Sequence, residues 1–352
     1  MRHSKHQIFR HQIGISLVEV LVAMVISLFL LAGIVQVYLA NSASYSFTNA
    51  VSRVQENARY AMDIMAQDLR MAGFFGCAVY DPEDPAAMDL LVNNLNTAGP
   101  GYDPELHDFL SQPLVEGTEN DGLNGSDSIT LRGTSPGNVT VLPPYMSTSA
   151  VVFVTQPHGL QADDIVMISN CRGGDIFQVT NINPMNGTVV HNTGAGSPGN
   201  YNPDNCQGGN AHCFSQTYGA DASLFRMQAT TYTIAAGESG EPALWRSVNG
   251  VNQELVDGIE QMQLLYGVDT TDDDHPNQYM TSDLITDVVT APNNWNDVMS
   301  IRLMLLVRSA NDGVVEAPQV VNYNGATAAA ADQRLRQVFT TTIALRNRVS
   351  DT

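Results

Sequence analysis

Near its N-terminus the chain reads Gly14-Ile15-Ser16-Leu17-Val18-Glu19, which places one carboxylate at the start of a long apolar run. Glu19 is the only charged residue between Ile15 and Ala40. A carboxylate inside a membrane segment costs about 2.5–3.5 kcal/mol on insertion scales, so such a residue is usually functional and has a partner. A positive group that meets it away from water could be that partner. The alternative is a glutamate that reaches the membrane surface.

Two other motifs suggest catalysis but lack the context that the chemistry needs. Gly133–Gly137 matches GxSxG, yet the residue after the serine is Pro136, which has no N–H for an oxyanion hole. Gly194–Gly199 matches GxGxxG, but turn residues follow where a dinucleotide site requires a helix. The sequence therefore predicts neither an enzyme nor a cofactor.

A cluster of carboxylates follows Tyr266-Gly267, and clustered carboxylates can hold calcium. The spacing and glycine of an EF-hand loop are missing, and His275-Pro276 comes next. A solvated turn is the simpler interpretation, and calcium is a secondary candidate. The residues concerned are Asp269, Asp272, Asp273 and Asp274.

The elements that would position Glu19 are a leader and a helix. Residues 1–14 are basic and contain no acidic residue. The apolar run of residues 15–40 would span roughly 39 Å as a helix, enough to cross a bilayer. An ordinary secretory signal has a shorter apolar core. We therefore predict a leader over residues 1–14 and a transmembrane helix over residues 15–40.

Beyond Ala40 the pattern becomes amphipathic, and no proline interrupts residues 15–80. We predict one helix from Ile15 to Ala72 with Gly73 near its end. Its continuation over residues 41–73 should pack on the protein's own β domain. The apolar positions recur every three or four residues: Val51, Val54, Ala58, Ala61, Met65, Leu69 and Ala72.

Residues 74–352 are rich in turn residues and short β-like runs, so we predict a large β-rich globular domain and an α+β fold. The predicted strands are Ser128–Arg132, Val139–Leu142, Ala150–Thr155, Asp164–Ser169, Asp175–Asn181, Ser223–Ile234, Glu254–Val268, Val298–Arg308 and Gln337–Arg346.

The net charge of −20 argues against a protein that binds nucleic acid, because so acidic a surface repels phosphate. A local basic patch could still form from the C-terminal arginines. The simpler expectation is that they face solvent or pair with carboxylates. These residues are Arg334, Arg336, Arg346 and Arg348.

The N-terminal pattern resembles the class III leader of type IV prepilins: a basic leader, a final glycine, an apolar run and a glutamate fifth after the glycine. Further segments resemble PilW-type minor pilins. They are SLVEVLVAMVISLFLLAGIVQVYL (16–39), RVQENARYAMDIMAQDLRMAGFFGC (53–77), DIVMISNCRGGDIFQVTNI (164–182), LVDGIEQMQLLYGVD (255–269), IRLMLLVRS (301–309) and VFTTTIALRNR (338–348).

This resemblance implies a type IV pilin-like fold and a processing event. A membrane aspartyl protease, the prepilin peptidase, would cut between Gly14 and Ile15 and methylate the new N-terminus on Ile15. Ile15 is less usual than phenylalanine or methionine at that position, but it is apolar. Glu19 would then pair with the N-terminal amine of a neighbouring subunit in the filament core.

The resemblance also implies function, partners and location. The expected function is that of a minor pilin at or near the pilus tip that primes pilus assembly and supports twitching motility. Its partners would be other minor pilins, the major pilin and the inner membrane, with the globular domain in the periplasm before assembly. Alternatives are a J-type minor pseudopilin of type II secretion and a pilin-anchored adhesin or tip binding protein.

Four cysteines in an exported chain favour disulfides. Cys206 and Cys213 flank a stretch of turn residues and could close a small loop, which leaves Cys77 to pair with Cys171. Four cysteines allow three pairings, so the others stay open. A zinc site from Cys206, His212 and Cys213 is a weaker alternative.

Overall fold

One long helix precedes a β-rich domain, so the predicted α+β architecture is confirmed. The computed structural model describes residues 14, 16–77, 90–135, 137–145, 149–193, 196–201, 214–271, 273–286 and 294–348. Helix α1 spans Leu17–Met71 and contains 55 residues, close to the predicted bounds. It ends where Gly73 adopts a φ of +74°, which favours glycine.

Apart from short 3-10 helices, the rest of the described chain forms one short α-helix and many strands. They are β1 (Leu91–Asn93), α2 (Pro104–His107), β2 (Val115–Thr118), β3 (Ser128–Thr134), β4 (Val139–Leu142), β5 (Val151–Val154), β6 (Ile165–Asn170), β7 (Gly173–Gln178), β8 (Asn181–Asn183), β9 (Thr188–Val190), β10 (Ser223–Ala236), β11 (Pro242–Val248), β12 (Val251–Asp257), β13 (Ile259–Val268), β14 (Gln278–Met280), β15 (Val298–Arg308), β16 (Val320–Tyr323), β17 (Ala326–Ala329) and β18 (Arg336–Ala344).

Strand β10 joins two parts of a sheet of 12 strands. Its first residues pair with β4 and β6, which belong to a lobe that also contains β1, β5, β7, β8 and β9. Its remaining residues pair with β3 on one side and β11 on the other. A separate sheet has the order β14-β13-β15-β18, and β16 and β17 form a hairpin.

Helix α1 packs against β3, β12, β15 and β18. The stripe predicted from the sequence is the buried face, and the main apolar core includes side chains from the helix and from both large sheets. Ala58 and Ala61 are fully buried, and their small side chains let the helix backbone approach the sheet. The buried helix residues are Val54, Ala58, Ala61, Met65, Ala66 and Leu69.

The lobe on the first part of β10 has its own apolar clusters, separate from the core under α1. Asp175 is fully buried there and accepts hydrogen bonds from Tyr218 Oη at 2.6 Å, Asn94 Nδ2 at 2.7 Å and Ser215 Oγ at 2.7 Å. Burial raises the pKa of this carboxyl, and the hydrogen bonds oppose that shift. The network fixes β7 to the segment before β10.

A disulfide joins Cys77 to Cys171, with a Cα–Cα distance of 4.7 Å. Cys77 lies just after α1, and Cys171 lies in the turn between β6 and β7. The bond therefore ties the end of the helix to the lobe. It is one of the two pairings that the sequence predicts; Cys206 and Cys213 lie outside the described residues.

Three arginines and three carboxylates alternate in a ring of ion pairs. Hydrogen bonds from Arg336 hold the pKa of Asp332 at about 2. The ring links the segment before β11 to β13, β15 and β18, and it leaves Arg334 and Arg336 paired rather than available to a ligand. Its members in order are Arg308, Glu241, Arg334, Asp332, Arg336 and Glu260.

The prediction of a single strand over Glu254–Val268 is wrong. The structure divides it at Gly258, which has a φ of +77° and whose Cβ would lie 2.8 Å from the carbonyl oxygen of Arg308. The chain therefore passes from β12 in one sheet to β13 in the other. Eight strands in the described part of the chain were not predicted: β1, β2, β8, β9, β11, β14, β16 and β17.

Removal of the residues up to Ser42 should leave a soluble, folded domain, because α1 is exposed on every side up to Asn49. Removal up to Gly73 should cause aggregation, since it uncovers the core beneath Val54, Met65 and Leu69. Full burial of each such side chain contributes about 1.5–3 kcal/mol. Circular dichroism and size exclusion of the two proteins test this. A shorter protein as stable and monodisperse as the longer one would contradict it.

Replacement of both Cys77 and Cys171 by serine should lower the free energy of unfolding. The sequence separation is 94 residues, and closure of such a loop contributes about 4 kcal/mol in the chain-entropy model. Urea unfolding measures the loss, and treatment of the unmutated protein with reductant is the matched control. Peptide mapping without reductant that finds Cys77 free, or joined to Cys206, would contradict the pairing.

Candidate functional site

The first turn of α1 is closed by a capping box. Ser16 Oγ accepts a hydrogen bond from the Val18 N–H at 3.3 Å, and the Glu19 carboxylate accepts one from the Ser16 N–H at 2.9 Å. Both residues are exposed, as is Gly14. A negative charge in the first turn of a helix also interacts favourably with the helix dipole. Glu19 is thus held in a defined position while its carboxylate stays accessible to a neighbouring molecule.

The first half of α1 is not buried by the domain. Every residue from Leu17 to Asn49 is exposed. The most apolar window of the helix has a mean hydropathy of 2.7, and none of it is buried. A helix that is apolar on all sides is stable only in lipid or among other helices. The segment is therefore long and apolar enough to anchor the chain in a membrane.

Polar contacts fix how the second half of α1 lies on the domain. Tyr232 Oη donates to Asp68 at 2.6 Å, and Arg246 forms an ion pair with Asp68 at 2.7 Å. Burial and the neighbouring charge of Asp68 raise the pKa of Tyr232. Asn57 Nδ2 donates to the backbone and side chain of Asp257, each at 3.1 Å. Sequence reasoning missed these contacts because their members are far apart in the chain.

The end of α1 is held by segments from distant parts of the chain. Gly73 N–H donates to the Arg132 carbonyl at 2.9 Å. Asn347 Nδ2 donates to the carbonyls of Arg70 at 3.4 Å and Ala72 at 3.1 Å. A Cβ on Gly133 would lie 3.2 Å from the Gly73 nitrogen, so the glycine permits this close approach. The helix therefore leaves the domain along a fixed direction.

The structure places some predicted site residues and leaves others undescribed. Gly14 lies just before α1, and Glu19 lies in its first turn. Ile15 lies outside the described residues, as do Cys206, His212 and Cys213. The cleavage site, the second disulfide and the alternative zinc site therefore stay predictions.

The aspartates after Tyr266 form a turn. The Asp269 carboxylate accepts hydrogen bonds from the N–H groups of Thr271 and Asp273, each at 2.9 Å. Asp272 lies outside the described residues. Within the described ranges, no three acidic, histidine or cysteine side chains converge as metal ligands. The turn accounts for Asp269 and Asp273, and the calcium site stays an untested prediction.

Comparisons with known proteins match both ends of the chain. A model of the prokaryotic N-terminal methylation motif matches residues 9–35, and the model of type IV pilus-assembly protein W matches residues 231–347. No curated protein matches. Among solved structures, a type IV-like pilin from Thermus thermophilus aligns with a TM-score of 0.32 and 9% identity, over 84% of this chain and 97% of that chain.

Helix α1 connects the regions that the two family models match. The methylation motif covers the exposed start of α1, and the second model begins within β10 and ends beyond β18, a region that packs against the buried face of the helix. These families are structural pilins that undergo prepilin processing and assemble with other pilus components. The methylation motif at the start of α1 and the domain region that packs on the helix together support the assignment of this chain to the PilW-type minor pilins of the type IV pilus.

Proposed function

We propose that this pilin primes pilus assembly and lies at or near the pilus tip, where it supports twitching motility. The supporting observation is the first half of α1, whose most apolar stretch is exposed on every side. Lipid satisfies such a surface before assembly, and the helices of other pilins satisfy it afterwards. In this proposal the globular domain faces the periplasm until the subunit leaves the membrane.

The assembly step depends on Glu19 in this proposal. Processing after Gly14 would create an amine at Ile15 on each subunit, and the Glu19 carboxylate of a neighbour would pair with it. Away from water, the pair is favourable only if the two groups meet in good geometry. The capping box supplies part of that geometry, because it holds the Glu19 side chain against the backbone of Ser16.

Deletion of the gene tests the proposal. The expected result is fewer surface pili and weaker twitching, both restored by the intact gene. Normal pili with impaired type II secretion would instead support a J-type minor pseudopilin. Normal pili and secretion with impaired surface binding would support an adhesin.

Replacement of Gly14 by leucine should leave the uncut chain in the membrane, because the peptidase is expected to require a small residue there. Mass spectrometry of the unmutated protein should find a mature chain that begins at methylated Ile15. Gly33→Leu is the matched control, since no atom lies within 4 Å of a Cβ at Gly33. This variant should be cut normally. A mature chain that begins at any other residue would refute the cleavage prediction.

Replacement of Glu19 by alanine should permit membrane insertion but reduce incorporation into pili. Removal of one member of a buried ion pair costs about 3–5 kcal/mol, so the loss inside a filament should be about a hundredfold or more. Quantitative immunoblots of membranes and sheared pili measure both steps. At the outermost position no subunit lies ahead of the chain, so the effect there should be smaller than inside a filament.

The variant Ser16→Ala distinguishes the contribution of the helix cap from that of the Glu19 carboxylate. This variant loses the cap from Ser16 Oγ, worth about 0.5–2 kcal/mol, but keeps the carboxylate of Glu19. It should enter pili at nearly the unmutated level. Equal incorporation of Glu19→Ala and unmutated protein would show that assembly does not require the carboxylate.

A further inference from the structure

Strand β18 is the outermost strand of its sheet. It pairs with β15 from Ser300↔Ala344 to Arg308↔Arg336. Along its other edge, no strand in the described part of the chain is hydrogen-bonded to it, although β16 lies near and Gln319, just before β16, contacts Arg336 at its start. An open edge presents unpaired N–H and C=O groups, which can template a further strand.

The pairing register shows which backbone groups of β18 point outwards. Leu345 N–H donates to the Met299 carbonyl at 2.9 Å, so odd-numbered residues face β15 and even-numbered residues face away. Arg336 N–H points outwards to Gln319 Oε1 at 2.5 Å. For the next outward backbone groups, no hydrogen bond is found within the described ranges. These belong to Val338, Thr340, Thr342 and Ala344.

The outer edge of β18 differs in composition from the other edges of the large sheets. Residues 337–344 contain no charge in a chain of net charge −20, and they lack proline and glycine. Natural edge strands are usually shortened or carry charges, proline or bulges. The other edges of the large sheets follow that rule: β1, β8 and β14 have 3 residues each, β2 carries Glu116, and β12 carries Glu254 and Asp257.

The side chains beside the outer edge of β18 leave its backbone accessible. Thr340, Thr342 and Ala344 are exposed on one face of the strand. On the opposite face Ile343 is buried, and Phe339 packs against the main core. The strand is thus held by the domain, while beyond Arg336 its outward backbone groups have no hydrogen-bond partner in the described part of the chain.

We propose that the outer edge of β18 pairs with an extended strand of a neighbouring, different pilin subunit. The inference rests on the proposed function, because α1 packs directly against β18. A subunit whose helix lies beside the exposed half of α1 is therefore brought next to this edge. Backbone pairing supplies the affinity, and the uncharged Thr and Val side chains favour an uncharged partner strand.

The partner strand differs from β18 itself. Subunits related by a rotation and a translation along one filament axis present unlike surfaces to each other. The open edge of one copy therefore meets another part of its neighbour. Pairing of β18 with β18 would require a twofold axis, which a filament of parallel helices lacks.

Photo-crosslinking of the full-length protein in its native cells tests the proposal. Benzoylphenylalanine at position 340 should form an adduct with another protein that carries a prepilin leader, and mass spectrometry should map the linked peptide to an extended segment. The same group at Asn183, on the exposed edge strand β8 of the lobe, is the matched control and should form no such adduct. Absence of the adduct, equal yields at both positions, or a link to β18 of a second copy would overturn the inference.

A backbone variant provides an independent readout. Thr340→Pro removes one outward N–H and leaves the hydrogen bonds to β15 intact. With the crosslinker at position 342, this change should lower the adduct yield about tenfold. Thr340→Val keeps the N–H and should preserve the yield. An undiminished yield in the proline variant would refute backbone pairing.

Measurement of pilus incorporation in the same cells separates the two proposals. Protein that enters pili without the adduct at position 340 would overturn the edge pairing and leave the assembly function standing. Pili that never contain the protein, together with normal piliation after deletion, would overturn the assembly function itself.

Discussion

The structure depends on one helix whose two halves must be stable in different environments. Up to Asn49, α1 is exposed on all sides, and from Val54 onwards one face is buried. The change needs no break in the helix, because the backbone hydrogen bonds are internal in both environments. Only the side chains change, from apolar on every face to apolar on one. The same element can therefore anchor the subunit and carry its domain.

Apolar burial holds the helix on the domain, and polar contacts orient it. Val54, Met65 and Leu69 are almost completely buried, and each contributes about 1.5–3 kcal/mol. The hydrogen bond from Tyr232 to Asp68 involves a charged acceptor and is worth about 1.5–3 kcal/mol. Together the apolar contacts exceed the polar one. An apolar stripe can slide along a sheet, however, whereas the contacts of Asp68 form in one arrangement only.

Local sequence patterns predicted the long helix and about half of the strands, whereas contacts between distant residues determine the features that these patterns missed. The strands Val139–Leu142 and Val298–Arg308 have their predicted bounds, because their flanking residues and apolar content are local signals. Gly258 looked like part of a strand, since the sequence does not show that Arg308 approaches it. The position of Glu19 followed from its spacing after Gly14. The Asp68 contacts did not, because each partner lies on a separate element.

The lobe on β10 has apolar clusters of its own, distinct from the core under α1. Strands β4 to β7 and β9 enclose apolar clusters that share no residue with the core under α1. The Cys77–Cys171 bond and the continuous β10 connect the two regions. Changes in the exposed loops of the lobe should therefore leave the packing of the helix intact. The matched family model begins at residue 231, beyond the lobe, which agrees with this division. The helix and strands β11 to β18 can therefore take part in filament assembly, while the lobe presents a separate surface.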